Sequence, residues 1–295
     1  MAPRSIVSCP PIRRLRGACD ARSALVAVAL ATAALAGSTA AAGSTPAARA
    51  PSSPFGLETD LAFRDVSASE WALLEASGAS WIRETVRWDR LGGADGPFNW
   101  TRPRASLDRA RAGGFGVFVA LGYGPAGWVP GRTYTHVPSP LTPDAIEQWT
   151  QYVLSAERAL DGIAGAREVW PSPNHSGWWK PRPNVDDYLA LLGAAHGAAT
   201  ARDDAAVVVA GGTVGVTRSY TDRFVTVVSG RDWLRDLLAR GGGDYLDAVA
   251  VRPEGDTPEA MAAEVVALDA VGADLADGQA LPVWVTAVGW PLEAL

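Results

Sequence analysis

Along most of the chain, hydrophobic positions alternate between two periods. Short apolar runs such as 115–121 and 206–211 have the length of strands buried on both faces. Between such runs lie segments whose apolar residues recur at helical spacing. Trp71, Leu73 and Leu74 do so within 68–77, and Ile146, Trp149, Val153 and Leu154 do so after Pro143. Strands are expected at 55–58, 80–86, 115–121, in the run leading into Trp170, and at 206–211, 246–251 and 281–286. Helices are expected at 68–77, 104–112, from Pro143 onward, at 185–201, within 220–240 and at 258–271. Local punctuation agrees with this division. Gly113-Gly114 closes one helix, and Thr142 caps the next with Pro143 at its first position.

Regular alternation of strands and helices implies a parallel sheet. The expected fold class is α/β, a (β/α)8 TIM-barrel-like architecture left incomplete. The reading yields about seven strands, with the eighth strand and final helix missing, so the first and seventh strands are expected to carry unpaired backbone edges. A length of 295 residues, with 48% hydrophobic and 20% charged, suits a single barrel of this kind.

The first 54 residues break the pattern. Arg4, Arg13, Arg14, Arg16 and Arg22 precede an apolar run at 24–37, which is too short to span a bilayer. Ala40-Ala41-Ala42 follows as a cleavage site, and a Ser/Pro/Ala-rich stretch leads to Pro54. The expected organisation is a signal peptide at 1–42, a linker at 43–54 and the barrel domain at 55–295. Export to the cell envelope or exterior follows, with no stable membrane insertion once the leader is removed. An uncleaved N-terminal anchor or a misassigned start is the alternative. Cys9 and Cys19 both precede the apolar run, so the mature domain would have no disulfide and no cysteine metal site. A net charge of −6 argues against a nucleic-acid partner.

Chemistry concentrates in two segments: Glu168-Val169-Trp170-Pro171-Ser172-Pro173-Asn174, and Val283-Trp284-Val285-Thr286-Ala287-Val288-Gly289-Trp290. Both resemble catalytic strand ends of clan A glycoside hydrolases, especially families 39 and 5. In that clan the fourth strand typically ends in Trp-Asn-Glu-Pro-Asn, and the seventh in Thr-Glu-x-Gly-Trp. The resemblance therefore puts Pro171 and Ser172 where Asn and the acid/base Glu stand, and Ala287 where the nucleophilic Glu stands. It extends over roughly 55–290, with Trp81-Ile82-Arg83, Trp88 and Phe98-Asn99-Trp100 as further matches. The sixth strand departs from it: Arg252-Pro253-Glu254 replaces the His-Pro-Tyr often found there.

Retaining hydrolysis needs two carboxyl groups about 5 Å apart, one as acid/base and one as nucleophile. Ala287 supplies no nucleophile, and a serine hydroxyl is too weak an acid for the other role. The resemblance thus implies the scaffold without the chemistry, and no catalytic residue is assigned. It implies substrate-binding roles for Arg83, Trp128, Asn174 and Trp290; Trp178 and Trp179 join them by their place after the fourth strand, and Trp128, Trp178, Trp179 and Trp290 are expected around one open groove. Arg83 reads equally as a partner of the nucleophile site or as half of an ion pair with Glu58 or Glu84. Trp178 and Trp179 read as a sugar platform or as a loop anchor. His136, His175 and His196 have no metal-ligand spacing, and neither Gly211-Gly212 nor Gly241-Gly242-Gly243 resembles a phosphate loop, so no metal or cofactor is expected.

The leading expectation is an exported glycoside-hydrolase-like protein with a degenerate site, inactive and binding polysaccharide or oligosaccharide weakly. One alternative is an active O-glycosyl hydrolase that uses displaced carboxylates such as Glu58 and Glu254. The other is a non-functional truncated remnant.

Overall fold

The computed structural model describes residues 6–8, 53–129, 139–203, 205–275 and 281–288. Ten strands and six α-helices follow in chain order among the described residues: β1 (Ile6–Ser8), β2 (Phe55–Thr59), α1 (Ala68–Ala76), β3 (Trp81–Arg87), α2 (Thr101–Ala112), β4 (Gly116–Gly122), α3 (Pro143–Ala159), β5 (Ala166–Val169), α4 (Val185–Thr200), β6 (Val207–Thr213), β7 (Tyr220–Thr221), β8 (Thr226–Val227), α5 (Gly230–Ala239), β9 (Ala248–Val251), α6 (Pro258–Leu275) and β10 (Val283–Val288). The seven strands expected from the hydrophobic pattern are all present. They run parallel in the order β2-β3-β4-β5-β6-β9-β10, each linked to the next through at least one helix. This is the incomplete TIM-barrel-like fold that the alternation of periods implies.

Helix starts follow from short polar side chains. Ser67 forms a capping box with Glu70, while Thr142, Asn184 and Ser229 each accept the backbone N–H three residues on. The segment 220–240 differs from expectation in one respect. A small β7-β8 hairpin precedes α5, because Ser229 places the helix start late.

The seam between β2 and β10 also differs. It is expected to be open, but β1 lies in it, antiparallel to both neighbours, with Ile6 opposite Val288 on one side and Leu57 on the other. The exposed ladder groups of two strand edges are a template for any extended segment, and Ile6-Val7 has the β-branched character to pair there.

Strand alternation sorts the core into two regions. Inside the barrel, Trp81, Phe118, Ala166, Val207, Val209, Ala248, Ala250 and Trp284 fill the lower layers. Outside, the opposite faces of the same strands pack on the helices through Ile82, Val86, Val117, Val119, Leu121 and Val208, against residues such as Trp149, Leu191 and Leu237. The interior is therefore solid up to the C-terminal ends of the strands. Any binding site must lie above that level.

Candidate functional site

Above the apolar layers, the next inward positions of three strands are charged. The register sets Glu58 beside Arg83 on adjacent strands. The Arg83 guanidinium, fully buried, donates from Nη1 to Glu58 Oε1 at 2.6 Å and from Nε to Glu168 Oε2 at 2.8 Å; Nη2 lies 2.7 Å from that same Glu168 oxygen. Glu168, also fully buried, accepts the Gly212 N–H through its other oxygen at 2.8 Å. Burial opposes the Arg83 charge, and the two carboxylates outweigh it, so its pKa is raised. Between the two readings of Arg83 the observed contacts are an ion pair, with Glu58 as expected and with Glu168 instead of Glu84.

Glu84 faces the other way, as the next residue on a strand must. Its carboxylate accepts Thr59 Oγ1 at 2.7 Å, the Leu61 N–H at 2.9 Å and the Ala62 N–H at 3.3 Å. Burial nevertheless pushes its pKa up to about 8.

Among the described residues, three other than glycine adopt left-handed backbone: Tyr123 (φ 64°), Trp170 (φ 52°) and Ser172 (φ 56°). All three lie just beyond the ends of β4 and β5. Such conformations cost on the order of 1–3 kcal/mol each and persist only where surroundings enforce them. Here the Trp170 N–H binds Leu121 O at 2.8 Å and the Ser172 N–H binds Gly212 O at 3.0 Å. Gly211 permits the approach, since a Cβ there would fall 2.1 Å from Trp170 O.

A cavity of about 440 Å³ opens over this end of the barrel, lined by Ser172, His175, Trp178, Val214, Arg252, Pro253, Glu254, Gly255, Met261 and Ala287. The two positions that the resemblance assigns to the lost carboxylates thus face one space. Ser172 Oγ accepts from Arg252 Nη1 at 3.3 Å. His175 Nδ1 accepts the Gly177 N–H at 2.9 Å, which leaves the proton on Nε2, and burial lowers the imidazole pKa. The Glu254 pKa is raised, by burial and then by the neighbouring Glu264 carboxylate, against the opposing pull of Arg252.

The expected binding residues separate. Trp178 lines the cavity, is 38% exposed, and stacks on Tyr123 at 5.3 Å between ring centroids. Arg83 lies beneath the strand ends in its ion pairs. Trp128 and Trp179 correct the expectation of a shared aromatic groove, because both rings are buried. Trp128 stacks with Trp170 at 5.8 Å and donates from Nε1 to Ala145 O at 2.9 Å. Trp179 packs edge-on against Trp170 at 5.3 Å and donates to Ser139 Oγ at 2.8 Å. These indoles fasten long Gly- and Pro-rich loops to the helices, and their N–H groups find partners inside. Asn174 is also buried and is a loop clamp. Its amide donates to Val214 O and Val228 O at 2.6 and 2.8 Å and accepts the Val214 N–H at 3.1 Å. Trp290 lies outside the described residues. His175 was not singled out by sequence for this site; its only signal was its position in the same post-strand loop as Ser172.

No protein-family model and no curated protein matches the chain. Solved structures do. A monomeric beta-xylosidase from Caulobacter crescentus CB15 is 20% identical with a TM-score of 0.57, over 77% of this chain and 50% of that one. The GH39 enzyme from Xanthomonas axonopodis pv. citri is 19% identical with a TM-score of 0.58, over 77% of this chain and 49% of that one. The chain spans about half the length of these structures. At such identity the likeness concerns architecture alone, and the chain shares the barrel fold of these structures.

Proposed function

We propose that this protein is an exported, glycoside-hydrolase-like barrel that binds carbohydrate and has lost retaining hydrolysis. The observation that carries the reading is the joint placement of Ser172 and Ala287 on one cavity at the strand ends. Ala287 offers no nucleophile, and the Ser172 hydroxyl is too weak an acid to protonate a glycosidic oxygen at neutral pH. Trp178, at the same cavity, supplies a half-open aromatic face of the kind that packs on sugar C–H surfaces.

Displaced carboxylates fit less well. Among the described residues lining the cavity, Glu254 is the only carboxylate. Glu58 is held at 2.6 Å by Arg83, with Arg252 3.9 Å from its other oxygen. One free carboxylate cannot serve both steps of a retaining reaction. Assay of aryl xylosides and glucosides tests the proposal, with no turnover expected. Activity that survives repurification and disappears in Glu254→Gln would establish the displaced-carboxylate alternative instead.

A further inference from the structure

The cavity holds a cation whose hydrogen-bonding capacity is mostly unspent. Arg252 follows β9, and its side chain is 28% exposed. Among the described residues its guanidinium makes two loose contacts, 3.3 Å from Nη1 to Ser172 Oγ and 3.9 Å from Nη2 to Glu58 Oε2. The first is at the long end of a hydrogen bond and the second is beyond one. A guanidinium carries five N–H donors in a planar fork that matches a carboxylate or similar oxyanion. Arg83, the other arginine of this region, is by contrast locked between two carboxylates at 2.6 and 2.7 Å. Glu58 is already engaged by Arg83, so it only partly neutralises Arg252. Beside Arg252 stand the neutral His175, with its proton on Nε2, and the face of Trp178.

We propose that the cavity takes the anionic group of an acidic sugar, a uronate carboxylate or a sulfate ester, with Arg252 as its anchor. This rests on the carbohydrate-binding reading above and names the class of sugar. Ser172 and Ala287 contribute no negative charge that would repel such a group. Glu254, on the same cavity, opposes it. The arrangement therefore predicts opposite effects at two neighbouring positions. Removing the Arg252 charge abolishes the preference for anionic sugars, and removing the Glu254 charge strengthens it.

The test is titration of the full chain with three probes, followed by Trp fluorescence at low and high salt: galacturonic acid oligosaccharides, a sulfated galactan oligosaccharide and neutral xylo-oligosaccharides. At least one anionic probe should bind roughly tenfold tighter than the neutral one, a preference that salt reduces, which is the scale of one charge-assisted hydrogen bond. The uronate and sulfate arms tell which oxyanion is preferred. Arg252→Met should bring the anionic probes down to the neutral affinity, Arg252→Lys should keep part of the preference, and Glu254→Gln should raise it. A cooperative thermal melt shows that each variant is folded. Equal or tighter binding of the neutral probe, unchanged in Arg252→Met and Glu254→Gln, overturns the anionic site and leaves the carbohydrate reading standing. No binding of any probe to the folded protein overturns both.

Discussion

Arg83→Met should destabilise this barrel more than almost any other single substitution of a polar residue. The side chains of Arg83 and Glu168 are both fully excluded from solvent, 2.7 Å apart at Nη2 and Oε2. Methionine fills much of the arginine stem volume but carries no charge. Glu168 then keeps only the Gly212 N–H, at 2.8 Å, while Glu58, with 25% side-chain exposure, can recover water. Removing one partner of a buried ion pair costs about 3–5 kcal/mol, because the other charge stays buried without compensation. That loss is a large fraction of a typical domain stability of about 5–15 kcal/mol. The double variant Arg83→Met/Glu168→Gln supplies the control. Its amide oxygen still accepts the Gly212 N–H, and no charge is stranded. The double variant should therefore be more stable than Arg83→Met alone, with a coupling energy on the order of 2–3 kcal/mol. Urea unfolding followed by the fluorescence of the 12 Trp gives the midpoints directly. A cost below about 1 kcal/mol for Arg83→Met, or additive behaviour in the double variant, would contradict a buried pair and its predicted penalty.

Other perturbations follow from the same geometry. Glu84, with its pKa raised to about 8 by burial, binds its proton more tightly folded than unfolded. Its contribution is therefore complete below the unfolded carboxylate value of about 4.3 and declines as pH rises toward 8, and Glu84→Gln should flatten that slope in unfolding midpoints. Ser172→Glu with Ala287→Glu should give at most faint aryl-glycoside turnover, because Arg252, 3.3 Å from Ser172 Oγ, would hold the new carboxyl ionised when it must act as an acid; robust turnover would disprove this. Trp128→Ala should cost about 3–5 kcal/mol of stability, whereas Trp178→Ala should cost far less and weaken glycan binding. The proposed export, with cleavage after residue 42, takes β1 from the seam, so at about 1 kcal/mol per ladder hydrogen bond the 43–295 protein should be a few kcal/mol less stable than the full chain, with concentration-dependent association visible by light scattering. An equally stable, monomeric truncated protein would show that the seam does not depend on β1.

What sequence alone could determine was local or periodic. The buried parallel strands read correctly because both their faces must be apolar, and Gly113 and Thr142 mark helix ends through requirements confined to one turn. The two segments around Ser172 and Ala287 could be picked out as well, since each occupies a single strand end, and both residues line the cavity. Long-range pairing was not legible. Arg83 could be matched to a neighbouring acid, but its choice of Glu168, 85 positions away, depends on the register and inward facing of β3 and β5. The aromatic platform failed for a related reason. A Trp in a Gly- and Pro-rich loop has the same sequence signature whether its ring faces ligand or core. Only packing assigned Trp128 and Trp179 to the interior and left Trp178 on the cavity. Arg252 was visible as a departure from a motif, yet its meaning came from the closed barrel, which turns β9 toward β5 and sets its guanidinium beside Ser172. Sequence determined which residues were available at the strand ends; tertiary structure decided which of them share a cavity, because barrel closure converts positions distant in the chain into neighbours.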